Sequence, residues 1–156
     1  MPEQVINVGW KGKIYINTGT RAAPSLTELK NVADVKVSDS FNKDDTTTRA
    51  DGGYDTEFNT TRKLSATWKM IDKTSDDANL TSVRTAYNAG SYLDLYFLDG
   101  VATNTKSRGV AAMCQVRKFD LDQANTKVAT YDVEVSPAPS NDVPTPISGN
   151  ASWTIN

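Results

Sequence analysis

Paired carboxylates, a run of hydroxyls beside a guanidinium, and one thiol are the groups in this chain equipped for chemistry. Asp44-Asp45 and Asp76-Asp77 are adjacent acids. A glycosidase holds two carboxylates about 5–10 Å apart across a substrate cleft. Here one pair falls in a polar loop and the other at the start of a helix, so they read as a solvated loop and as N-terminal helix charge. Thr46-Thr47-Thr48-Arg49 offers hydroxyls and a guanidinium to an anion, but it lacks the glycine spacing and the lysine of a phosphate-binding loop. The chain has no histidine, which removes the commonest general base and metal ligand. Cys114 is the one cysteine. It lies in an alternating segment, 110–117, and is expected to be a buried, inert thiol. No nucleophile elbow, zinc-protease helix, Cys-x-x-Cys or EF-hand loop is present. The residues therefore predict a protein that is not an enzyme, with no catalytic residues, no cofactor and no metal site.

The elements that would position these groups are mostly strands. At 156 residues, 38% hydrophobic and 23% charged, the chain is expected to form one domain of ordinary soluble composition. A net charge of −2 and a pI of about 5.1 give it no global attraction for nucleic acid. With no signal-peptide pattern and no membrane-length apolar run, the expected setting is a reducing, soluble compartment without membrane contact. Strict alternation marks strands at 12–17, 33–38, 63–70, 92–97, 110–117 and 128–135, with a short one near Ser152-Ile155. In 63–70, Leu64, Ala66, Trp68 and Met70 face one way, and Lys63, Ser65, Thr67 and Lys69 the other. One helix is predicted at about 76–89. Ser75 is its N-cap, Leu80, Val83, Ala86 and Tyr87 form its apolar stripe, and Gly90 is its stop. Two stretches are aperiodic. Residues 39–62 form a long polar loop, and 136–148, with Pro137, Pro139, Pro144 and Pro146, an extended arm. Trp68 reads as core, while Trp10 and Trp153 are open between core and interface.

This order of parts resembles the tail tube (major tail) protein family of tailed bacteriophages. The likeness is carried by Asn31-Val-Ala-Asp-Val-Lys-Val37, by Thr46-Thr-Thr-Arg49, by the strand ending Lys-Met-Ile-Asp, and by Tyr92-Leu-Asp-Leu-Tyr-Phe-Leu-Asp-Gly100. It covers about residues 10–140. It implies a mainly β fold: a two-sheet sandwich or small barrel with one flanking helix at about 76–89 and a long loop at about 39–62. Residues 1–156 would be a single tail-tube domain, with an N-terminal arm at 1–10 and a C-terminal arm at 136–156. The implied function is that of a virion tail subunit, assembled in the host bacterial cytoplasm. Six copies would form a ring, and rings would stack into a hollow conduit for DNA. The implied partners are other copies of the chain, a tape-measure protein and DNA in the lumen, and tail terminator and tail-tip proteins at the tube ends. The tube protein of a phage-tail-like secretion or injection system shares the implied fold and is the alternative. A soluble ligand-binding sandwich is a further one.

Two sets of residues follow. The polar faces of the inner strands are expected to line the bore: Asp34, Lys36, Ser38, Lys63, Ser65, Thr67, Lys69, Gln115, Arg117, Thr130, Asp132 and Glu134. Their charges lean basic, whereas the resemblance implies an acidic bore. The 39–62 loop is expected to make the ring-to-ring contact and to order on stacking. Its residues for that role are Phe41, Lys43, Asp44, Asp45, Thr46, Thr47, Thr48, Arg49, Asp51, Tyr54 and Phe58, with Arg49 answering acids of a neighbour and the aromatics as anchors.

Overall fold

The structure, a computed structural model, describes residues 12–73 and 78–156. In chain order they form β1 (Lys13–Asn17), β2 (Ser25–Glu28), β3 (Val32–Asp45), β4 (Glu57–Ile71), α1 (Ala78–Ala89), β5 (Tyr92–Leu98), β6 (Arg108–Asp122), β7 (Thr130–Pro137), β8 (Thr145–Ser148) and β9 (Thr154–Ile155). Every strand belongs to one sheet of order β3-β4-β7-β6-β5-β1-β2-β9, with β8 paired to β6. The two layers expected of a sandwich are two halves of this sheet. β6 is common to both: residues 109–115 pair with β5, and residues 114–122 pair with β7.

The halves close on one core because alternation gives each an apolar face. Leu64, Ala66, Trp68 and Met70 of β4 and Tyr131, Val133 and Val135 of β7 meet Ile14, Ile16, Leu95 and Phe97 of β1 and β5. The Trp68 and Phe97 rings sit 6.1 Å apart. Helix α1 seals one flank through Leu80, Val83 and Ala86, at about 1.5–3 kcal/mol for each large apolar side chain buried. It stops where predicted: Gly90 has φ 67°, and the Ser91 N–H donates to the Ala86 carbonyl at 3.0 Å. Ser75, Asp76 and Asp77, read as its cap and first turn, lie outside the described residues, as do Trp10 and the 1–10 arm.

A second, smaller core covers the opposite face of β1 and β5. Tyr15, Leu26, Tyr96, Leu98, Ala102 and Ala111 are buried there, with Ile147 and Trp153 packed on them. The Trp153 ring meets Tyr96 edge-on at 5.6 Å, so Trp153 is a packing residue of its own subunit. The Tyr15 hydroxyl accepts the Ala102 N–H at 3.2 Å, which satisfies it in this dry setting. This corrects the alternation read for 12–17 and 92–97: Tyr15 and Tyr96 are buried, not solvent-facing. The segment read as a C-terminal arm supplies much of this cover. β8 pairs with β6, and β9 runs parallel to β2.

Among the described residues one ion pair is largely buried, on the second-core side of β5. Asp94, 8% exposed, accepts Asn17 Nδ2 at 2.9 Å and Arg21 Nε at 2.9 Å to each oxygen. The pair ties the 18–24 connection to β5. Asp94→Ala leaves the Arg21 charge stranded, and a loss of about 2–4 kcal/mol in urea denaturation is expected, moderated because Arg21 keeps some water.

Several boundaries and one register differ from the sequence reading; β7, expected over 128–135, runs Thr130–Pro137. The long loop of 39–62 is mostly ladder, with β3 running to Asp45 and β4 starting at Glu57, so only 46–56 is irregular. β3 is also bulged. Ala33 opposes Lys69 but the next partner pair is Lys36 with Thr67, and Asp34 takes φ 53°. Ala33 therefore shares the polar face of Lys69, and the regular alternation expected over 33–38 is broken. β6 continues past 117 to Asp122 after a second bulge between Val116 and Lys118.

Candidate assembly edges

Four strands, β3-β4-β7-β6, form an antiparallel layer with one dry and one wet face. Residues directly opposed across a ladder share a face. Ala33, Lys69, Asp132 and Asp120 thus make one row, and Lys36, Thr67, Glu134 and Lys118 another. Ser38 lies beside Ser65, and Gln115 beside Ser136. Arg117 is held there too, donating to Ser136 Oγ at 2.7 Å and to Gln115 Oε1 at 2.8 Å. Thr130 joins through Asp122, and Asp34 reaches the same side by lining a shallow depression of about 230 Å³ with Thr67, Lys69, Lys118, Asp132 and Glu134. Lys63 opposes Ser40 one step up β4. The structure thus brings all the candidate bore residues onto one face.

Sequence reading missed Lys118, Asp120 and Asp122, which complete that face. The bulge at Arg117 shifts the phase, but Phe119-x-Leu121 restarts an alternation that marks the continuation. With them the basic lean disappears: Lys36, Lys63, Lys69, Arg117 and Lys118 are matched by Asp34, Asp120, Asp122, Asp132 and Glu134. Opposite signs are interleaved, with Lys69 opposed to Asp132, Glu134 opposed to Lys118, and Lys118 Nζ 3.3 Å from Asp120. Such a face offers no continuous basic stripe to hold phosphates.

Among the described residues, both sides of this layer end in unpaired backbone. β3 bonds, among the described residues, only to β4 along its 14 residues. On β6, pairing with β5 stops at Gln115, so residues 116–122 have a ladder on one side alone. Exposed edges of this kind are templates for another strand. Because the four strands alternate in direction, β3 and β6 run opposite ways. A copy placed beside the layer by rotation would set its β3 antiparallel to this β6.

Beyond Ala66, where pairing with β7 ends, β3 and β4 continue as a two-stranded ribbon. Nine more residues of β4 carry it roughly 30 Å outward at about 3.3 Å each. Cross-strand pairs lace it. Arg62 Nε donates to Asp39 at 2.8 Å and its guanidinium covers the opposed Phe41 ring; Asn42 donates to Thr61 at 2.8 Å; Lys43 meets Glu57 at 2.9 Å. At the tip, Thr46–Thr48 are not a cradle for an anion. The Thr56 N–H donates to Thr47 Oγ1, the Thr47 N–H to Asp45, and the Thr48 N–H to Asp51. The Thr47 hydroxyl and N–H hold Asp45, and the Thr48 N–H and hydroxyl hold Asp51, below the usual carboxylate range, as the Arg62 hydrogen bond does for Asp39. The order they give the ribbon is present above the ordinary carboxylate pKa and lost as pH falls through the lowered native values. Asp45 and Asp51 are thus occupied within the tip, whereas Asp44 and Arg49 are exposed and have no ion-pair partner among the described residues. Tyr54 and Phe58 are 78% and 66% exposed.

Cys114 lies under this layer, 1% exposed, and burial pushes its thiol up to about 12. Labelling by a thiol reagent at pH 8 is expected to be roughly a thousandfold slower in the native protein than in denaturant. Among the described residues no three His, Cys, Asp or Glu side chains gather as a metal site.

The sequence matches no protein-family model and no curated protein. The fold does match solved structures. A chain from the virion of a native gene transfer agent superposes with TM-score 0.70 at 12% identity, covering 92% of this chain and 100% of that one. A chain of the SPP1 tail tube gives 0.71 at 8% identity, covering 92% and 80%. A chain of the anti-feeding prophage baseplate gives 0.61 at 5% identity, covering 97% and 99%. The tail of the empty gene transfer agent particle, with C6 symmetry, gives 0.69 at 12% identity, covering 86% and 96%.

Proposed function

We propose, from this tail-tube fold, that the chain is the structural subunit of a phage tail tube and acts only as an assembly. The observation that carries the proposal is the four-stranded antiparallel layer with both edges open. An even number of alternating strands closes by rotation without a mismatched seam, and closure removes every inner edge. The gene transfer agent tail and the anti-feeding prophage baseplate are described with six-fold symmetry. Six copies of four strands make a barrel roughly 50 Å across at about 4.8 Å spacing and about 40–45° tilt. Side chains leave a bore of about 40 Å, taking roughly 5 Å from each wall. That passes a hydrated duplex or an extended tape-measure protein, with the terminator and tip proteins closing the ends.

The polar face lines this bore. Its interleaved charges let DNA slide, because no run of cations releases counterions along it. Catalysis has no part in this role, and the place of the subunit is the virion tail, built in the bacterial cytoplasm. The ribbon makes the ring-to-ring contact. A two-stranded ribbon is marginal on its own in water, and this one exposes Phe41, Tyr54 and Phe58 besides. Docked on the next ring, those aromatics find cover, and Arg49 and Asp44 find opposite charges. The tube protein of a phage-tail-like secretion or injection system is the second reading, distinguished by what the assembled lumen carries.

Negative-stain microscopy of the purified protein tests the function. Uniform rings or tubes are expected on concentration. A particle that stays monomeric at high concentration overturns the reading.

A further inference from the structure

The open edges carry more than unpaired backbone. Val35 and Val37 of β3, 45% and 39% exposed, line an open cleft of about 730 Å³ between β3 and the ends of β1 and β5. On β6, Leu121 is 47% exposed, and Phe119 stacks at 5.9 Å on Tyr87 of α1, itself 43% exposed. Val37 opposes buried Ala66, and Leu121 opposes buried Tyr131. Both apolar strips therefore lie on the core face of the layer, one at each edge. The wet face carries a matching asymmetry. Lys36 on β3 and Asp122 on β6 are exposed, and neither has an ion-pair partner among the described residues.

We propose that the cleft behind β3 is filled by Leu121 and the Tyr87–Phe119 stack of a second copy. The seam is then a three-part contact: an apolar strip on the core side, a backbone ladder in the middle, and Lys36 with Asp122 on the wet side. The core of each subunit is left open at β3 and is completed by its neighbour. The contact is heterologous, since each copy gives one edge of each kind, and a heterologous contact that closes makes a ring. A ladder alone would join any exposed edge. The paired apolar strips and opposite charges restrict joining to β3 with β6, which is how such a surface discriminates. This inference rests on the ring reading above and adds which side chains make the seam.

The test uses full-length Val35→Ser/Val37→Ser and full-length Leu121→Ser proteins, with assembly followed by sedimentation velocity and negative stain. Because these residues are exposed in the subunit, both variants are expected to melt as the unaltered protein does. The concentration for half-assembly is expected to rise by about tenfold or more in each. The decisive arm is a mixture. The first variant retains a sound β6 edge and the second a sound β3 edge, so an equimolar mixture is expected to give dimers and no rings. A second pair guards against misfolding: Lys36→Asp should weaken assembly and Lys36→Asp/Asp122→Lys should restore it. Normal rings from either serine variant, with the unaltered protein also forming rings, overturn the seam and leave the tube function standing. Failure of the unaltered protein to form rings overturns both.

Discussion

A chain lacking residues 42–57 is expected to fold and to close into rings that do not stack. Phe41 and Arg62 are directly opposed on β3 and β4, so the deletion leaves Phe58–Thr61 as a four-residue hairpin connection, a length such turns favour. The core loses nothing, because the removed residues are exposed or, as at Asp51 and Thr56, only partly covered, and none belongs to either apolar core. The β3 edge proposed to close the ring is also kept from Val32 to Phe41. What disappears is the outer two-thirds of the ribbon, with Tyr54, Arg49 and the laced tip. Microscopy should show single rings where the unaltered protein gives tubes, a complete loss of tube length with little change in melting temperature. Normal tubes from the deletion would refute the role given to the ribbon.

The second large effect is on stability and comes from one missing methyl. Gly109 sits on β6 between Leu98 of β5 and Ile147 of β8. A Cβ built there would stand 1.7 Å from the Phe97 carbonyl oxygen and 2.7 Å from its carbon. Those atoms are backbone of a buried strand, so no rotamer change relieves the clash. The strand pair must separate just where β6 is held between β5 and β8. Gly109→Ala is expected to cost about 3–5 kcal/mol, in the range reserved for overpacking and broken ladders, and to yield mostly insoluble chain. Differential scanning calorimetry of whatever folds would show it, and a melting temperature within two or so degrees of the unaltered protein, a ΔΔG below about 1 kcal/mol, would contradict the packing described for this site.

What was legible in the sequence depended on each strand having one wet face. β4 and β7 do, and Leu64 to Met70 and Tyr131 to Val135 were read with the correct side inward. β1 and β5 have two dry faces, because the second core covers Tyr15 and Tyr96 from outside. Tyrosine at an alternating position looks polar until its cover is known, and that cover comes from Ile147 and Trp153, more than a hundred residues from Tyr15 in sequence and some fifty from Tyr96. The ribbon was illegible as strand for the opposite reason: neither face is buried, so no apolar period marks 39–45 or 57–62. Bulges account for the rest. A single extra residue at Arg117 reverses the side of everything after it, which hid Lys118, Asp120 and Asp122 from the polar face, and the turn at Asp34 did the same on a smaller scale to Ala33. The open edges were the least legible feature. Whether a strand has a neighbour on both sides is a property of the topology, and no residue of β3 or β6 announces it alone.

On the proposed function, the bare rims of the β3-β4-β7-β6 layer are completed by identical copies. A cryo-electron reconstruction of assembled protein, resolved well enough to trace main chain, decides it. It is expected to show β3 of each subunit hydrogen-bonded antiparallel to residues 116–122 of the next, closing one continuous barrel with the interleaved charges inward. An arrangement in which the subunit's own residues cap those rims, or in which neighbours touch without a shared ladder, would contradict it.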